Sequence, residues 1–553
     1  MSIADLGMIF KFVGGLGMFL YGMGAMADGL QRFAGNRLQR LLEILTTNRF
    51  LGVLVGAGVT AIIQSSSATT VMVVGFVNAG IINLLQATGI IMGANIGTTI
   101  TSWIVSMSEW GEVLKPEFFA PVLFGIGAFI TLFAKSHKKR EGAEILIGFA
   151  LLFIGLSFMS GSIAPYRNAP IFSESFRVLG HNPILGVLVG LTVTAVIQSS
   201  SASVGILQTL AINGMVNWQS AVFITLGQNI GTCVTALLSS IGASRTAKQA
   251  AVIHLLFNIV GTLIFGILFF FIFMANPNFA ALPADSIGIS IFHTIFNVSN
   301  TVILFPFAGL LVRASHVLVK EKEEDKKTAG MALEMLRHLD SRILSSPSFA
   351  IETARQEMIN MGQVTLANLK IATAALIDEN EAFCSEVFEN EKTIDEMDKL
   401  LTEYLVKINN LSLNDEQHLL VKNMYYTIGD LERIGDHSEN IAELAKSRIE
   451  HHYLFSDTGL EELKTISDAA IKSVESAMEA RKEREMNKVR QTARWEENVD
   501  TLEEELRENH MKRLSNRECE IESGVLFLDA VANYERVADH ARNIAGYVKE
   551  EMQ

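Results

Sequence analysis

Two short polar runs interrupt otherwise apolar sequence: "AIIQSSSATTVMVV" at Ala61–Val74 and "AVIQSSSASVGILQ" at Ala195–Gln208. The first sets Gln64, Ser65, Ser66 and Ser67 together, and the second Gln198, Ser199, Ser200 and Ser201. A second polar motif follows each, "GANIGTT" with Asn95 and Thr98 and "GQNIGTC" with Asn229 and Thr232. The stretches Leu51–Ser108 and Ile184–Ser244 contain no charged residue. An anion bound there is held by hydroxyls, amides and backbone N–H groups, and a hard cation by hydroxyl and carbonyl oxygens. No histidine or acid lies nearby to activate a serine as nucleophile, so the chain is not expected to be an enzyme.

A lone run of serines in an apolar helix serves interhelical packing and hydrogen bonding. Here the run is one part of a longer repetition. Residues 48–106 align with residues 182–240 without a gap at an offset of 134, and 27 of 59 positions are identical. "LGVLVG" at Leu51 meets "LGVLVG" at Leu185, and "FLYGM" at Phe19 more weakly meets "LFIGL" at Leu152. Packing does not require one tetrapeptide at equivalent points of two copies, so the duplication points to a binding site.

The elements that carry these motifs follow from composition. Of 553 residues, 49% are hydrophobic and 19% charged, but residues 1–313 are strongly apolar and Glu, Lys, Asp and Arg crowd the chain from Lys320 onward. Windows near Leu6–Met26, Leu84–Met107, Phe118–Ala134, Ile145–Ser162, Trp218–Ile241, Ala250–Ala275 and Ile287–Val312 approach the ~20 apolar residues of a bilayer span. Each QSSS window has about a dozen apolar residues on either side, the length of a re-entrant segment rather than a crossing. Both read as helical hairpins that enter and leave on one side. Three crossings separate equivalent points of the two copies, so repeats over about 7–134 and 142–275 are expected to be inverted relative to each other.

Arg32, Arg37, Arg40 and Arg49, "KSHKKR" at Lys135–Arg140, Arg245 with Lys248, and the basic residues after the last span fall on one side if the N-terminus is outside and the C-terminal part cytoplasmic. Arg167 and Arg177 are then exceptions on the outer side. The start, "MSIADLGMIFKFVGG", lacks a basic n-region and cleavage site and reads as a retained span. A net charge of −14 excludes nucleic acid as a partner. Cys233, Cys384 and Cys519 are scattered and odd in number, which suits a reducing compartment. No GxxxxGK[ST] is present, so direct ATP-driven pumping is not expected.

After a charged linker, taken as residues 314–345 and including "KEKEEDKKTAG" at Lys320–Gly330, residues 346–553 carry six long amphipathic patterns and no strand pattern. They too repeat: "YTIGDLERIGDHSENIAELA" at Tyr426 resembles "FLDAVANYERVADHARNIAGYV" at Phe527, at an offset of 103. Glu432 and Asp436 in one copy, and Glu535 and Asp539 in the other, stand at i, i+4. So do Glu391 and Asp395, and Glu496 and Asp500. Each pair lies on one helix face. Singly these are solvated faces with Arg433 and Arg536 as partners; together they form oxygen-rich clusters suited to Mg, Mn or iron. Arg494 and Trp495 replace Glu389 and Asn390 in the second copy. "HLLFN" at His254 and "HTIFN" at His293 recur on the last two spans and read as helix-packing motifs.

The paired QSSS and NIGT motifs resemble the signature of the type II sodium-dependent phosphate cotransporters and their bacterial relatives, over about residues 1–313. The carboxylate helices resemble the PhoU family over about residues 345–553. The resemblance implies an all-α chain: a polytopic domain of two inverted repeats with re-entrant hairpins, and a cytoplasmic tandem three-helix bundle. It implies sodium-coupled symport of inorganic phosphate through the cytoplasmic membrane by alternating access, with sodium as co-substrate and the PhoU-like domain regulating flux and binding metal ions. Gln64, Ser65, Ser66, Ser67, Gln198, Ser199, Ser200 and Ser201 would frame substrate and sodium, with Asn95, Thr98, Asn229 and Thr232 lining the same cavity. Such families also lead one to expect a homodimer in the lipid bilayer. A non-transporting membrane-anchored phosphate-signalling regulator, and a phosphate exporter, are the alternative readings.

Overall fold

A computed structural model describes residues 3–34, 49–110, 116–166, 182–319, 335, 338–516 and 518–553. Arg37, Arg40, Arg167, Arg177 and the connector Lys320–Gly330 lie outside the described residues. Among the described residues all extended elements are helices. They fall into two compact units, one formed by Met1–Lys327 with Asp340–Phe349 and the other by Thr328–Leu339 with Ala350–Gln553.

The first unit runs α1 (Ile3–Ala34), α2 (Arg49–Ile63), α3 (Ser66–Asn78), α4 (Leu84–Gly97), α5 (Thr99–Ser106), α6 (Pro116–Phe133), α7 (His137–Ile163), α8 (Pro183–Ile197), α9 (Ser200–Ile212), α10 (Trp218–Ser239), α11 (Arg245–Ala275), α12 (Pro277–Ala281), α13 (Ser286–Leu304) and α14 (Ala308–Leu318). Among the described residues six helical stretches are long and apolar enough to cross a membrane: Asp5–Phe33, Leu84–Glu109, Lys139–Tyr166, Trp218–Ser239, Arg245–Ala275 and Ser286–Leu318. The window expected at Phe118–Ala134 forms a shorter apolar helix, Phe118–Phe133. Large apolar side chains such as Phe118, Phe133, Ile184 and Val196 are exposed along these helices, as the lipid-facing side of a multi-pass membrane protein requires.

Glycine sets how closely the helices approach. A Cβ added to Gly93 of α4 would lie 2.0 Å from the Val53 carbonyl oxygen of α2, and one on Gly56 would lie 2.1 Å from that of Ile90. The second repeat copies this contact: Cβ atoms on Gly227 and Gly190 would each lie 2.0 Å from the carbonyl oxygens of Val187 and Ile224. Lipid supplies no hydrophobic drive between helices, so backbone-to-backbone packing of this kind is what holds them. The first helices of the two copies, α1 and α7, pack in the same manner, with Gly22 against the Gly148 carbonyl and Gly155 against that of Gly15.

Residues Asp340–Phe349 form a strap on this unit. Asn78 Nδ2 at the end of α3 donates to Asp340 Oδ2 at 2.7 Å, Arg342 Nε donates to the Ser239 carbonyl at the end of α10 at 2.7 Å, and the Phe76 and Phe349 rings meet edge to face. The guanidinium thus sits at a helix C-terminus, where the dipole favours a cation.

The second unit is built from α15 (Pro347–Asp378), α16 (Glu381–Asn409), α17 (Asp415–His451), α18 (Asp457–Glu483), α19 (Met486–Ser515) and α20 (Ile521–Met552). Ile394 and Leu401 of α16, Leu431 and Ile434 of α17, Val499 of α19 and Val537 and Ile544 of α20 are fully buried. Spacings of three or seven residues, as between Leu431 and Ile434 or Ile394 and Leu401, set an apolar stripe along a helix and leave the charged residues outward.

Gly93→Leu and Gly227→Leu are expected to abolish the folded membrane unit, while Gly58→Ala, whose Cβ would meet nothing within 4 Å, leaves it intact. Size-exclusion profile and melting temperature in detergent read the difference.

Candidate functional site

Each QSSS stops one helix and starts the next. Gln64 and Gln198 adopt the left-handed conformation, at φ of 55° and 56°, which costs a non-glycine residue roughly 1–2 kcal/mol and ends α2 and α8. Ser65 and Ser199 are then N-caps: their hydroxyls accept from the backbone N–H of Ala68 and Ala202 at 3.1 and 3.2 Å. The resulting half-helices are 15, 13, 15 and 13 residues long. Behind each break a hydroxyl pair fastens the two halves together, Thr60 to Thr69 at 2.9 Å and Thr194 to Ser203 at 2.8 Å.

The two tips meet. Ser66 Oγ lies 3.4 Å from Ser200 Oγ, and Thr98 Oγ1 donates to Ser66 Oγ at 3.2 Å. Ser66 and Ser200 are equivalent residues of the two copies, so their contact lies where a two-fold axis between repeats would run. Both begin helices, and the first-turn N–H groups of a helix have no intrahelical acceptor. Two partial positive ends therefore converge where no side chain carries charge, an arrangement suited to an anion.

The lining residues are held in set orientations. Thr101 Oγ1 donates to Gln64 Oε1 at 2.9 Å. Asn95 Nδ2 and Asn229 Nδ2 each donate to the carbonyl four residues back, that of Ile91 at 2.8 Å and Thr225 at 2.9 Å, so each amide oxygen is the atom left to take a ligand. Thr232 Oγ1 donates to the Gln228 carbonyl of its own helix at 3.0 Å, unlike Thr98, which reaches the tip. Ser67 supplies its carbonyl to Thr70 Oγ1 at 3.1 Å, and Ser201 is buried. Hydroxyl and amide oxygens here offer the hard donors a sodium-sized cation prefers.

Some participants are absent from the motifs. Thr60, Thr69, Thr194 and Ser203 are related by the same offset of 134 and were detectable as duplicated hydroxyl positions. Gln208 of α9 was not, because its equivalent is Val74. Fully buried, it directs Nε2 at the Ser290 hydroxyl, 2.9 Å away, and at the carbonyls of Ser102 and Ser286, each 3.1 Å away. It thereby joins the second hairpin to α5 and α13. His254 and His293 are buried, and their carbonyls accept from Asn258 Nδ2 and Asn297 Nδ2 at 3.1 and 2.9 Å. The repeated H-x-x-x-N is thus an i, i+4 clip.

In the helical unit, Glu391 of α16 is 4% exposed, and neither carboxylate oxygen has a hydrogen-bond partner among the described residues. Burial first, and the charges of Asp395, Asp436, Glu439 and Glu432 next, push its carboxyl up to about 8. Burial also raises Glu432, with Asp436 adding to it. A Cβ on Gly435 would lie 2.8 Å from both Glu391 oxygens, so this carboxylate occupies a cradle that only glycine leaves open. An orphaned carboxylate amid Asp395, Glu432 and Asp436 fits a divalent cation. In the other copy, oxygens of Glu496, Asp500 and Asp539 lie within 4.8 Å of one another, but Glu496 also takes a hydrogen bond from Arg542. Burial raises Glu535, and the Asp539 charge adds to it.

Residues 18–161 and 170–282 match the Na+/Pi-cotransporter family, and residues 358–445 and 463–548 match the PhoU domain. A protein of Salmonella typhimurium named for inorganic phosphate export, YjbB, is 25% identical over 530 residues, covering 94% of this chain and 93% of its own. YqeW of Bacillus subtilis is 29% identical over 305 residues, 55% of this chain and 96% of that one. Human sodium-dependent phosphate transport protein 2B is 32% identical over 109 residues, 19% of this chain and 16% of its own. The crystal structure of PhoU from Pseudomonas aeruginosa aligns with a TM-score of 0.35 at 24% identity, over 37% of this chain and 97% of that one.

Metal-free, the raised Glu391 carboxyl has a sign that can be checked. The folded chain keeps a proton that the unfolded chain releases near 4.5, so the stability tied to it is full below about pH 4.5 and is lost as pH rises through about 8. The melting temperature of the chelator-treated chain should fall across that window, and Glu391→Gln should shrink the fall. An undiminished fall in the variant would assign it to other groups.

Proposed function

The N-terminal part of the chain belongs to the Na+/Pi-cotransporter family and the C-terminal part carries a PhoU domain, and from that premise we propose that the protein moves inorganic phosphate by sodium-coupled symport. The observation that carries this reading is the meeting of two helix N-termini at Ser66 and Ser200 in a region without fixed charge. Phosphate there is held by N–H groups and hydroxyls. Bringing a multiply charged anion into a low-dielectric cavity costs more than hydroxyls return, so sodium binds with it and neutralises part of its charge. Ser65, Ser67, Ser199, Ser201, Gln64, Gln198, Asn95, Asn229, Thr98 and Thr232 supply the oxygens. Coupling then follows from a shared site, and alternating access from rocking of one repeat against the other about it.

The chain lies in the cytoplasmic membrane with its N-terminus outside and its helical domain inside, by the distribution of basic residues. That domain regulates flux. The strap that touches α3 and α10 leads directly into α15, so the chain offers a covalent path from the helical domain to the helix behind Ser66. Of the carboxylate stripes, Glu391, Asp395, Glu432 and Asp436 surround the orphaned carboxylate and are its cation-binding residues, and Glu496, Asp500, Glu535 and Asp539 are their equivalents in the second copy. A second reading, outward movement of phosphate, is favoured by the relatives named for phosphate export, which match along nearly the whole chain.

Labelled phosphate uptake into proteoliposomes should depend on an inward sodium gradient. It should fall to background in Ser66→Leu and Ser200→Leu, with a smaller loss in Thr98→Val. Unchanged uptake in both leucine variants would remove the site assignment. Phosphate loss from expressing cells at high internal phosphate, without sodium-driven uptake, would favour export.

A further inference from the structure

The two carboxylate clusters descend from one pattern, yet they solve the problem of buried negative charge differently. Glu391 and Glu496 are equivalent, and each is 4% exposed. Around Glu391 stand Asp395, Glu432, Asp436 and Glu439, and the nearby guanidinium, Arg433, pairs with Asp436 at 3.3 Å and Glu432 at 3.8 Å without bonding Glu391. Both oxygens of Glu391 remain without a partner among the described residues. In the second copy, position 542, equivalent to Glu439 at the offset of 103, is arginine, and its guanidinium bonds Glu496. Arg507 pairs with Glu503 at 2.8 Å in addition. The cradle differs too, because Gly435 has Ala538 as its equivalent, and the alanine is fully buried.

A buried carboxylate set needs a proton or a cation. We infer that the helical unit is asymmetric, the Glu391 cluster taking a hard divalent cation while Arg542 serves as the built-in counter-ion of the Glu496 cluster. This rests on the reading that the Glu391 stripe binds metal. The convergence of Glu496, Asp500 and Asp539 is what a resident cation produces, and the guanidinium is that cation. An arginine cannot be deprotonated to make way for a metal, and Arg542 takes an oxygen of the buried central glutamate itself, whereas Arg433 leaves both oxygens of Glu391 unbonded. At the first site, donors that are all carboxylate select Mg2+, Mn2+ or Fe2+ over softer ions.

The intact chain in detergent, stripped with chelator, is titrated with Mn2+; free Mn2+ is read by electron paramagnetic resonance and bound equivalents by native mass spectrometry, with circular dichroism as folding control. Glu391→Gln should weaken tight Mn2+ binding by at least the roughly 10- to 100-fold that disturbing a partner outside the ligand set costs, while Glu496→Gln leaves it unchanged. Arg542→Glu combined with Ala538→Gly should add bound Mn2+. Loss of equal amounts in the two glutamine variants, or a folded double variant with no added Mn2+, would overturn the asymmetry alone. Absence of tight Mn2+ in the unaltered chain would overturn the metal reading beneath it.

Discussion

A helix broken inside a bilayer leaves backbone N–H groups that lipid cannot satisfy, and the membrane unit is organised around two such breaks. Ser65 and Ser199 each take one orphan donor, but the rest of each first turn remains open. Bringing Ser66 against Ser200 gathers these open donors in one place, where the proposed anion would satisfy them. The left-handed glutamines, the Thr60–Thr69 and Thr194–Ser203 clips and the glycine contacts between α2 and α4 and between α8 and α10 all hold the breaks in register. Remove the closeness of Gly93 to Val53 or of Gly227 to Val187, and the tips have no fixed backing.

Much of this was readable from the chain. The offset of 134 exposed the hairpins, their lengths excluded simple crossings, and the lack of charge defined the site's chemistry. The glycine pairs were visible as part of "LGVLVG" and "GANIG", though not their approach distances, which depend on crossing geometry. Gln208 was illegible because a repeat cannot reveal a residue that only one copy has. The strap was illegible for another reason. Asp340–Phe349 follows a charged connector and looks like its continuation, and only the partners Asn78, Ser239 and Phe76, distant in sequence, give it a place on the membrane unit. Phe118–Ala134 read as a crossing on composition, but its helix is shorter than the other six.

The helical unit teaches the same lesson about duplication. Carboxylates at i, i+4 announced four pairs, and their equivalence suggested equal sites. Equivalence of the ligands conceals the difference that matters, which lies in their neighbours: glycine against alanine beside the buried glutamate, and glutamate against arginine one turn away. A chain that keeps every ligand can still lose a site by gaining a cation.

The account stands on the convergence of the two serine tips around an anion, and cross-linking measures that directly. With native cysteines replaced, the pair Ser66→Cys and Ser200→Cys should be bridged rapidly by Hg2+ in the intact chain, and phosphate with sodium should slow the reaction while sulfate at equal ionic strength does so less. A folded double-cysteine variant that resists bridging, or one bridged at the same rate with and without phosphate and sodium, would contradict the claim that the tips meet around the substrate.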